Sequence, residues 1–421
     1  MDAPRLPDLK SDLSNVPIIV ADPNNNKRSV AAWSTLPRSG HSARTINPIR
    51  RIADRLDVPP NPLLAPIKLH LGDPSLSGRL PPCKNAAVVD RYSSPEAPFT
   101  SADVILASGA SHALQMAIEA IAGPGDNILV PQPGFPLYGT LMKPHGIEEI
   151  AYRLKMESDA SPDLEDLVLK ITPKTKAIIV NNPGNPTGAV FSREVLLALL
   201  RIASTNKLVI IADEIYGDLT FGGAEFYPMA SLTDDVPVIT CDGIAKRWMV
   251  PGWRLGWSII HDRHNVLKDV KDGMVALSQK IVGPCSLVQG ALPAILKDTP
   301  QEYFEYNKRV IHENSTIVVD ALSEVAGLRP IAPAGSMYMM VEVDRRQLGD
   351  EVTFVQGLIR EQSVFCLPGS AFGIEGYFRV VLTSDAEHTR EACERITEYC
   401  RAHRRDERGY ESDEGVPGPI L

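Results

Sequence analysis

The chain has 421 residues, and a single hydrophobic core stops growing at roughly 250–300 residues, so two domains are expected. Apolar residues make up 44% and charged residues 23%, an ordinary globular balance, and a net charge of −9 withholds the basic surface that a nucleic-acid footprint needs. Cys83, Cys241, Cys285, Cys366, Cys393 and Cys400 include no C-x-x-C pair, which argues against a disulfide framework or a zinc site. No apolar run is long enough to span a bilayer, and Met1–Ser14 has neither a signal core nor an Arg-rich amphipathic pattern; a cytoplasmic protein is expected.

Along the chain, Val104–Leu106, Asn127–Val130, Ala177–Val180, Leu208–Ala212 and Val238–Thr240 are short runs rich in Ile, Val and Leu, which read as buried strands of a mostly parallel sheet. Helical stretches lie between them, one capped by Ser192 and continuing through Ala203. This alternation predicts a large doubly wound α/β domain over residues 72–284. After Pro284 the pattern changes. Thr299-Pro300-Gln301-Glu302 reads as a capping box opening a helix that runs to Gly327. Strand-like runs at Tyr338–Val343 and Phe378–Leu382 precede a charged helix from His388 to about Arg404. A smaller α+β domain built from both chain ends, 15–71 and 285–404, is expected, with disordered tails at 1–14 and 405–421.

Ligands of open α/β sheets sit at the carboxyl ends of the strands, so the residues following each strand are the candidates. Ser108-Gly109-Ala110-Ser111 opens a helical pattern, as a phosphate cradle does, although a plain turn reads the same way. Asn181-Asn182-Pro183-Gly184-Asn185-Pro186-Thr187-Gly188 forces a tight loop that would fix Asn185 at the sheet edge. Asp213 ends the fourth strand, where a carboxylate is either a floor of the crevice or satisfied by nearby backbone. Lys246 follows the fifth strand among small and apolar residues, a setting for a nucleophilic amine. Arg254, between Trp253 and Trp257, is expected to be partly covered and able to clamp a phosphate. No Gly-x-Gly-x-x-Gly follows the first strand, which disfavours a dinucleotide-binding dehydrogenase.

A cradle, a buried acid, a lysine and an arginine form the set that pyridoxal phosphate requires. At these residues, and at Pro131–Tyr138, Ala212–Asp218, Ala245–Trp257, Asn47–Arg50 and Gly72–Pro74, the sequence resembles the class I and II aminotransferases, fold-type I pyridoxal phosphate enzymes, and within them the branch acting on aromatic amino acids. The resemblance runs from about residue 40 to 404. It implies that Lys246 forms the Schiff base with pyridoxal 5'-phosphate and that Asp213 keeps the ring nitrogen protonated. Tyr216 and Asn185 would face the ring's 3-oxygen, and Phe135 would stack on the ring. Ala110, Ser111 and Arg254 would hold the phosphate, Arg379 the substrate α-carboxylate, and Gly72 would offer backbone to that carboxylate.

The implied activity is transamination of an aromatic L-amino acid, tyrosine, with a 2-oxo acid such as 2-oxoglutarate, in a homodimer whose site lies at the interface. Two departures stand out. Gly243 occupies a position where many members carry a phosphate-binding serine, and the chain lacks the family's helix and Tyr/Gly-rich loop between Asp90 and Arg91, a loop that reaches into the partner subunit's site. The alternatives are therefore a related enzyme acting on alanine or kynurenine, a C–S lyase, or a catalytically silent relative.

Overall fold

The structure is a computed structural model that describes residues 33–45 and 86–405. Eleven strands are found among the described residues: β1 (Val104–Ala107), β2 (Asn127–Gln132), β3 (Glu148–Arg153), β4 (Thr175–Asn181), β5 (Val209–Asp213), β6 (Val238–Gly243), β7 (Gly256–His261), β8 (Leu328–Ile331), β9 (Tyr338–Val343), β10 (Leu367–Pro368) and β11 (Tyr377–Val381). The first seven form one sheet in the order β1-β7-β6-β5-β4-β2-β3. Its pairs are parallel from β3 through β6; β7 alone runs against both neighbours.

The strand alternation explains why this sheet is covered twice. Ile178, Val180, Ile210 and Ala212 point to the face packed by Leu196, Leu199 and Ala203 of the Arg193–Asn206 helix. Ala177, Ile179, Val209 and Ile211 point to the other, against Ala113, Ala117 and Met274 from the Ala110–Ile121 and Lys268–Ser278 helices. Each fully buried Ile or Val contributes about 1.5–3 kcal/mol through lost apolar exposure. Ser192 caps its helix as expected, accepting from the Val195 amide. The expected α/β class is thereby met, and a second, four-stranded antiparallel sheet, β10-β11-β9-β8, stands apart from the first. It packs on Ile311, Val318 and Leu322 of the Gln301–Ser323 helix and Ile396 and Tyr399 of the Ala386–His403 helix.

Two local expectations change. Thr299 does not cap the helix that follows it; its hydroxyl donates to the Ile295 carbonyl and accepts from Trp248 Nε1, so it closes the preceding Ser286–Asp298 helix. The next helix ends at Ser323, before the turn that brings Gly327 to φ 91°. The Asp90–Arg91 junction lies inside one helix, Ala86–Tyr92, which buries Val88 beside Leu292 and Leu296. Residues 1–14 and 406–421, Cys83 and the Asn47–Arg50 and Gly72–Pro74 segments lie outside the described residues; Arg405, the first of the expected C-terminal tail, donates its backbone N–H to the Gln347 carbonyl. Among the described residues no helix is long and apolar enough to cross a membrane.

Candidate active site

The antiparallel β7 sets the geometry of the site. Gly256 pairs with Gly243 on one side and with Ala107 on the other, so β1 ends level with β6. The segments after β1, β2, β4, β5 and β6 therefore open at one edge. At that edge Gly256 has no room for a side chain: a Cβ there would fall 2.6 Å from the Ala110 amide nitrogen. The start of the Ala110–Ile121 helix is thus drawn down onto the sheet. Gly109 stands at the N-cap with φ 78° and no side chain caps the helix, so the first-turn N–H groups of Ala110 and Ser111 carry the positive end of the helix dipole.

Arg254 lies against this turn. Its Nη2 donates to the Ser108 carbonyl at 3.1 Å and its Nη1 to the Pro251 carbonyl at 3.0 Å. A Cβ at Gly109 would sit 2.3 Å from Nη2, so any other residue there would displace the guanidinium. Contrary to expectation Arg254 is exposed: Trp257 is fully buried, but Trp253 is itself 47% exposed. Gly243 also has a local reason, because a Cβ at that position would fall 2.7 Å from the Leu255 carbonyl oxygen.

Asp213 ends β5 with its side chain buried. Tyr138, from the helix after β2, donates to Oδ2 at 2.7 Å, while Oδ1 is buried with no partner. Burial pushes this carboxyl up to about 6, against the hydrogen bond from Tyr138, the backbone N–H of Ile215 and the charge of Lys246. Lys246 follows β6 half-buried, with Nζ 3.5 Å from the Tyr338 hydroxyl and 5.7 Å from the centre of the Tyr216 ring. Tyr216 is buried and donates to the Tyr338 hydroxyl at 3.2 Å.

From the second sheet, Arg379 of β11 donates through Nη1 to Asn185 Oδ1 at 2.9 Å, and its Nε is buried without a partner. The Asn181 side chain in turn holds the Asn185 amide at 2.8 Å. The Arg379 guanidinium lies 4.2 Å from the Tyr338 ring and 4.6 Å from the Phe372 ring. Burial lowers its pKa from the usual guanidinium value. The Phe372 turn docks on the loop after β2, where Gly134 donates to the Phe372 carbonyl and Gln132 to the Gly373 carbonyl.

Lys246, Tyr216, Asn185 and Arg379 are thus gathered in one contact network. Asp213 reaches it through the field of Lys246. Ala110 joins it by packing on the cluster that holds Tyr216 and Tyr338. Phe135 is half-buried, meets the Tyr138 ring edge-on at 5.9 Å and lines one cavity with Phe372. Gly72 lies outside the described residues. Three further residues were given no role from sequence: Tyr138, Tyr338 and Phe372. Tyr138 was within a quoted motif and Tyr338 opens a predicted strand, but their partners are 75 and 122 residues away in the chain.

These residues fit pyridoxal phosphate. The unpartnered oxygen of Asp213 suits a ring N–H⁺, the uncapped helix with Arg254 suits a phosphate, and the Lys246 amine, within the field of Asp213, suits an aldehyde carbon.

Comparison with known proteins agrees. The model of the aminotransferase class I and II family matches residues 76–396. A tyrosine aminotransferase of Caenorhabditis elegans is 57% identical over 396 residues, covering 87% of this chain and 85% of the relative. A tyrosine aminotransferase of Homo sapiens is 42% identical, with 90% of each chain covered. The 396 aligned positions exceed the 87% of this chain that they draw on, so part of the relative has no counterpart here. Among solved structures, tyrosine aminotransferase from Leishmania infantum superposes with a TM-score of 0.73 at 28% identity, covering 89% of this chain and all of the other. Alanine aminotransferase from Pyrococcus furiosus gives 0.74 at 29%, covering 86% and 99%. The chain belongs to the class I and II aminotransferases and is a pyridoxal phosphate-dependent enzyme.

Proposed function

We propose that this enzyme transfers the amino group of an aromatic L-amino acid, tyrosine, to a 2-oxo acid such as 2-oxoglutarate. The observation that carries the chemistry is the buried Asp213, whose Oδ1 makes no hydrogen bond and which lies within the field of Lys246. The relatives named tyrosine aminotransferase at 57% and 42% identity support the substrate.

When bound, pyridoxal phosphate supplies a carbonyl for amine exchange and a protonated ring that draws electrons from the substrate Cα. Asp213 stays ionised beside that ring cation, away from water, where opposite charges interact strongly. Lys246, once its amine is free, takes the proton from the substrate Cα; a positioned base of this kind is worth ~10²–10⁴-fold in rate. Arg379 grips the α-carboxylate with the N–H groups left beside its bond to Asn185, and its planar fork matches that anion. Tyr216 and Asn185 serve the ring's 3-oxygen, Phe135 the ring face, and Ala110, Ser111 and Arg254 the phosphate, with Gly72 lending backbone to the carboxylate.

The division into a cofactor domain at 72–284 and a small domain from 15–71 and 285–404 belongs to the same proposal, as do the homodimer and the cytoplasmic location. The two separate sheets, within 104–261 and 328–381, support the division.

The test is a half-reaction: cofactor-loaded protein is mixed with one amino acid and no oxo acid, and its absorbance is followed. Tyrosine should convert the cofactor faster than alanine or kynurenine, and 2-oxoglutarate should reverse the change. Conversion by alanine alone would refute the substrate, and a 2-oxo acid formed without amine retention would point to elimination.

A further inference from the structure

Tyr338 has no part in the roles above, yet it touches most of the residues that do. It opens β9, on the second sheet, opposite Val381 of β11, and is buried. Its hydroxyl is the acceptor for Tyr216 at 3.2 Å and stands 3.5 Å from Lys246 Nζ, both of which come from the ends of strands in the first sheet. Its ring face lies 4.2 Å from the guanidinium carbon of Arg379. One side chain therefore meets the lysine, the tyrosine beside it and the carboxylate-binding arginine.

We propose that Tyr338 is a positioning residue with two separable parts: its ring is the platform that orients Arg379 toward the substrate carboxylate, and its hydroxyl holds the Lys246 amine in register with Tyr216. The division follows from chemistry. A guanidinium over an aromatic face is held by the ring quadrupole, which phenylalanine retains and leucine lacks. A hydroxyl oxygen accepts from an amine or a second hydroxyl, and phenylalanine removes that acceptor. Arg379 also has Phe372 on a ring contact at 4.6 Å, so losing the Tyr338 face should loosen the arginine without freeing it.

The inference rests on the proposed roles of Lys246 and Arg379, and its test separates the two. Tyr338→Phe and Tyr338→Leu are prepared with bound cofactor. Calorimetry measures binding of glutarate and 3-phenylpropanoate, carboxylates without an amine. The leucine variant should bind both ~10-fold more weakly, and the phenylalanine variant should match the unmutated chain. The phenylalanine variant should instead lower kcat ~10-fold and move the pH midpoint of the bound cofactor's absorbance by ~0.5–1 unit, with KM unchanged. An unmoved midpoint and kcat in the phenylalanine variant would overturn the proposal. So would a leucine variant that loses only 3-phenylpropanoate, because the ring would then be a wall for the substrate side chain. Neither the calorimetry nor the absorbance titration requires turnover. An unmutated chain that reacts with no amino acid therefore counts against the proposed function, and unaltered variants of a reactive chain count against Tyr338.

Discussion

Two buried carboxylates, Glu119 in the Ala110–Ile121 helix and Asp213 at the end of β5, behave in opposite ways. Glu119, within that helix, is 2% exposed and fully partnered: Gln115 and His145 reach Oε1 at 2.6 and 3.1 Å, and His41 and Lys280 reach Oε2 at 3.1 and 3.2 Å. Burial pushes its carboxyl up, but the bond from Gln115 and the charges of Lys280 and His145 outweigh that and hold it below the usual range. Asp213, 3% exposed, has the Tyr138 hydroxyl on Oδ2 and the Ile215 N–H turned toward the carboxylate, but Oδ1 makes no full hydrogen bond, and its carboxyl is pushed up to about 6. The fold completes the first acid and leaves the second incomplete. A buried acid with an unsatisfied oxygen costs stability until a cation arrives, which is the signature expected of a ligand site. A saturated acid ties segments together, here residues 41, 119, 145 and 280.

The largest expected effect is at the incomplete acid. Asp213→Asn should lower turnover ~10³-fold, as loss of an aimed electrostatic group does, while the cofactor-free protein melts no lower than the unmutated chain. A fall of several degrees in that melt with turnover intact would make Asp213 a structural acid like Glu119. Next comes Arg379→Leu. Truncating one partner of a buried charge pair costs ~2–5 kcal/mol, and this should raise KM for every amino acid and oxo acid alike. An effect confined to aromatic substrates would remove Arg379 from the carboxylate.

A smaller effect distinguishes the two acids by pH. The folded pKa of Asp213 is raised, so between ~4 and about 6 the cofactor-free fold keeps a proton that the unfolded chain has lost. Stability should fall across that window as pH rises, by about 3 kcal/mol in total. The Asp213→Asn variant should lack this fall, and a denaturant midpoint series on both proteins would show it. The same fall in both would assign it elsewhere. The folded pKa of Glu119 is depressed, so its contribution is present above the usual carboxylate range and is lost as pH drops through its lowered value. Glu119→Gln should destabilise by about 2 kcal/mol, since its partners are partly exposed, and leave turnover per folded molecule unchanged. A turnover defect without a stability loss would reverse the comparison.

The same contrast explains what the sequence disclosed. β1, β2, β4, β5 and β6 were legible because each is a short apolar run between turns. β3, Glu148–Arg153, is an edge strand with charged residues at both ends, and β7 follows directly on the Arg254 turn, where it reads as part of a motif. The placement of Asp213 and Lys246 at strand ends was legible from the apolar runs before them, and strand ends are where open sheets take ligands. Tyr138 and Tyr338 were not, because a tyrosine's role is set by which distant atom its hydroxyl meets. The exposure of Arg254 also escaped, since flanking tryptophans do not determine which way a left-handed turn, φ 50°, directs them.

Every role proposed for the site depends on Lys246 carrying the cofactor. Borohydride reduction of the cofactor-loaded protein, followed by digestion and mass spectrometry, tests it directly. One reduced pyridoxal phosphate adduct is expected, on the peptide containing Lys246, and none in Lys246→Ala; an adduct on another lysine, retained in that variant, would contradict the assignment.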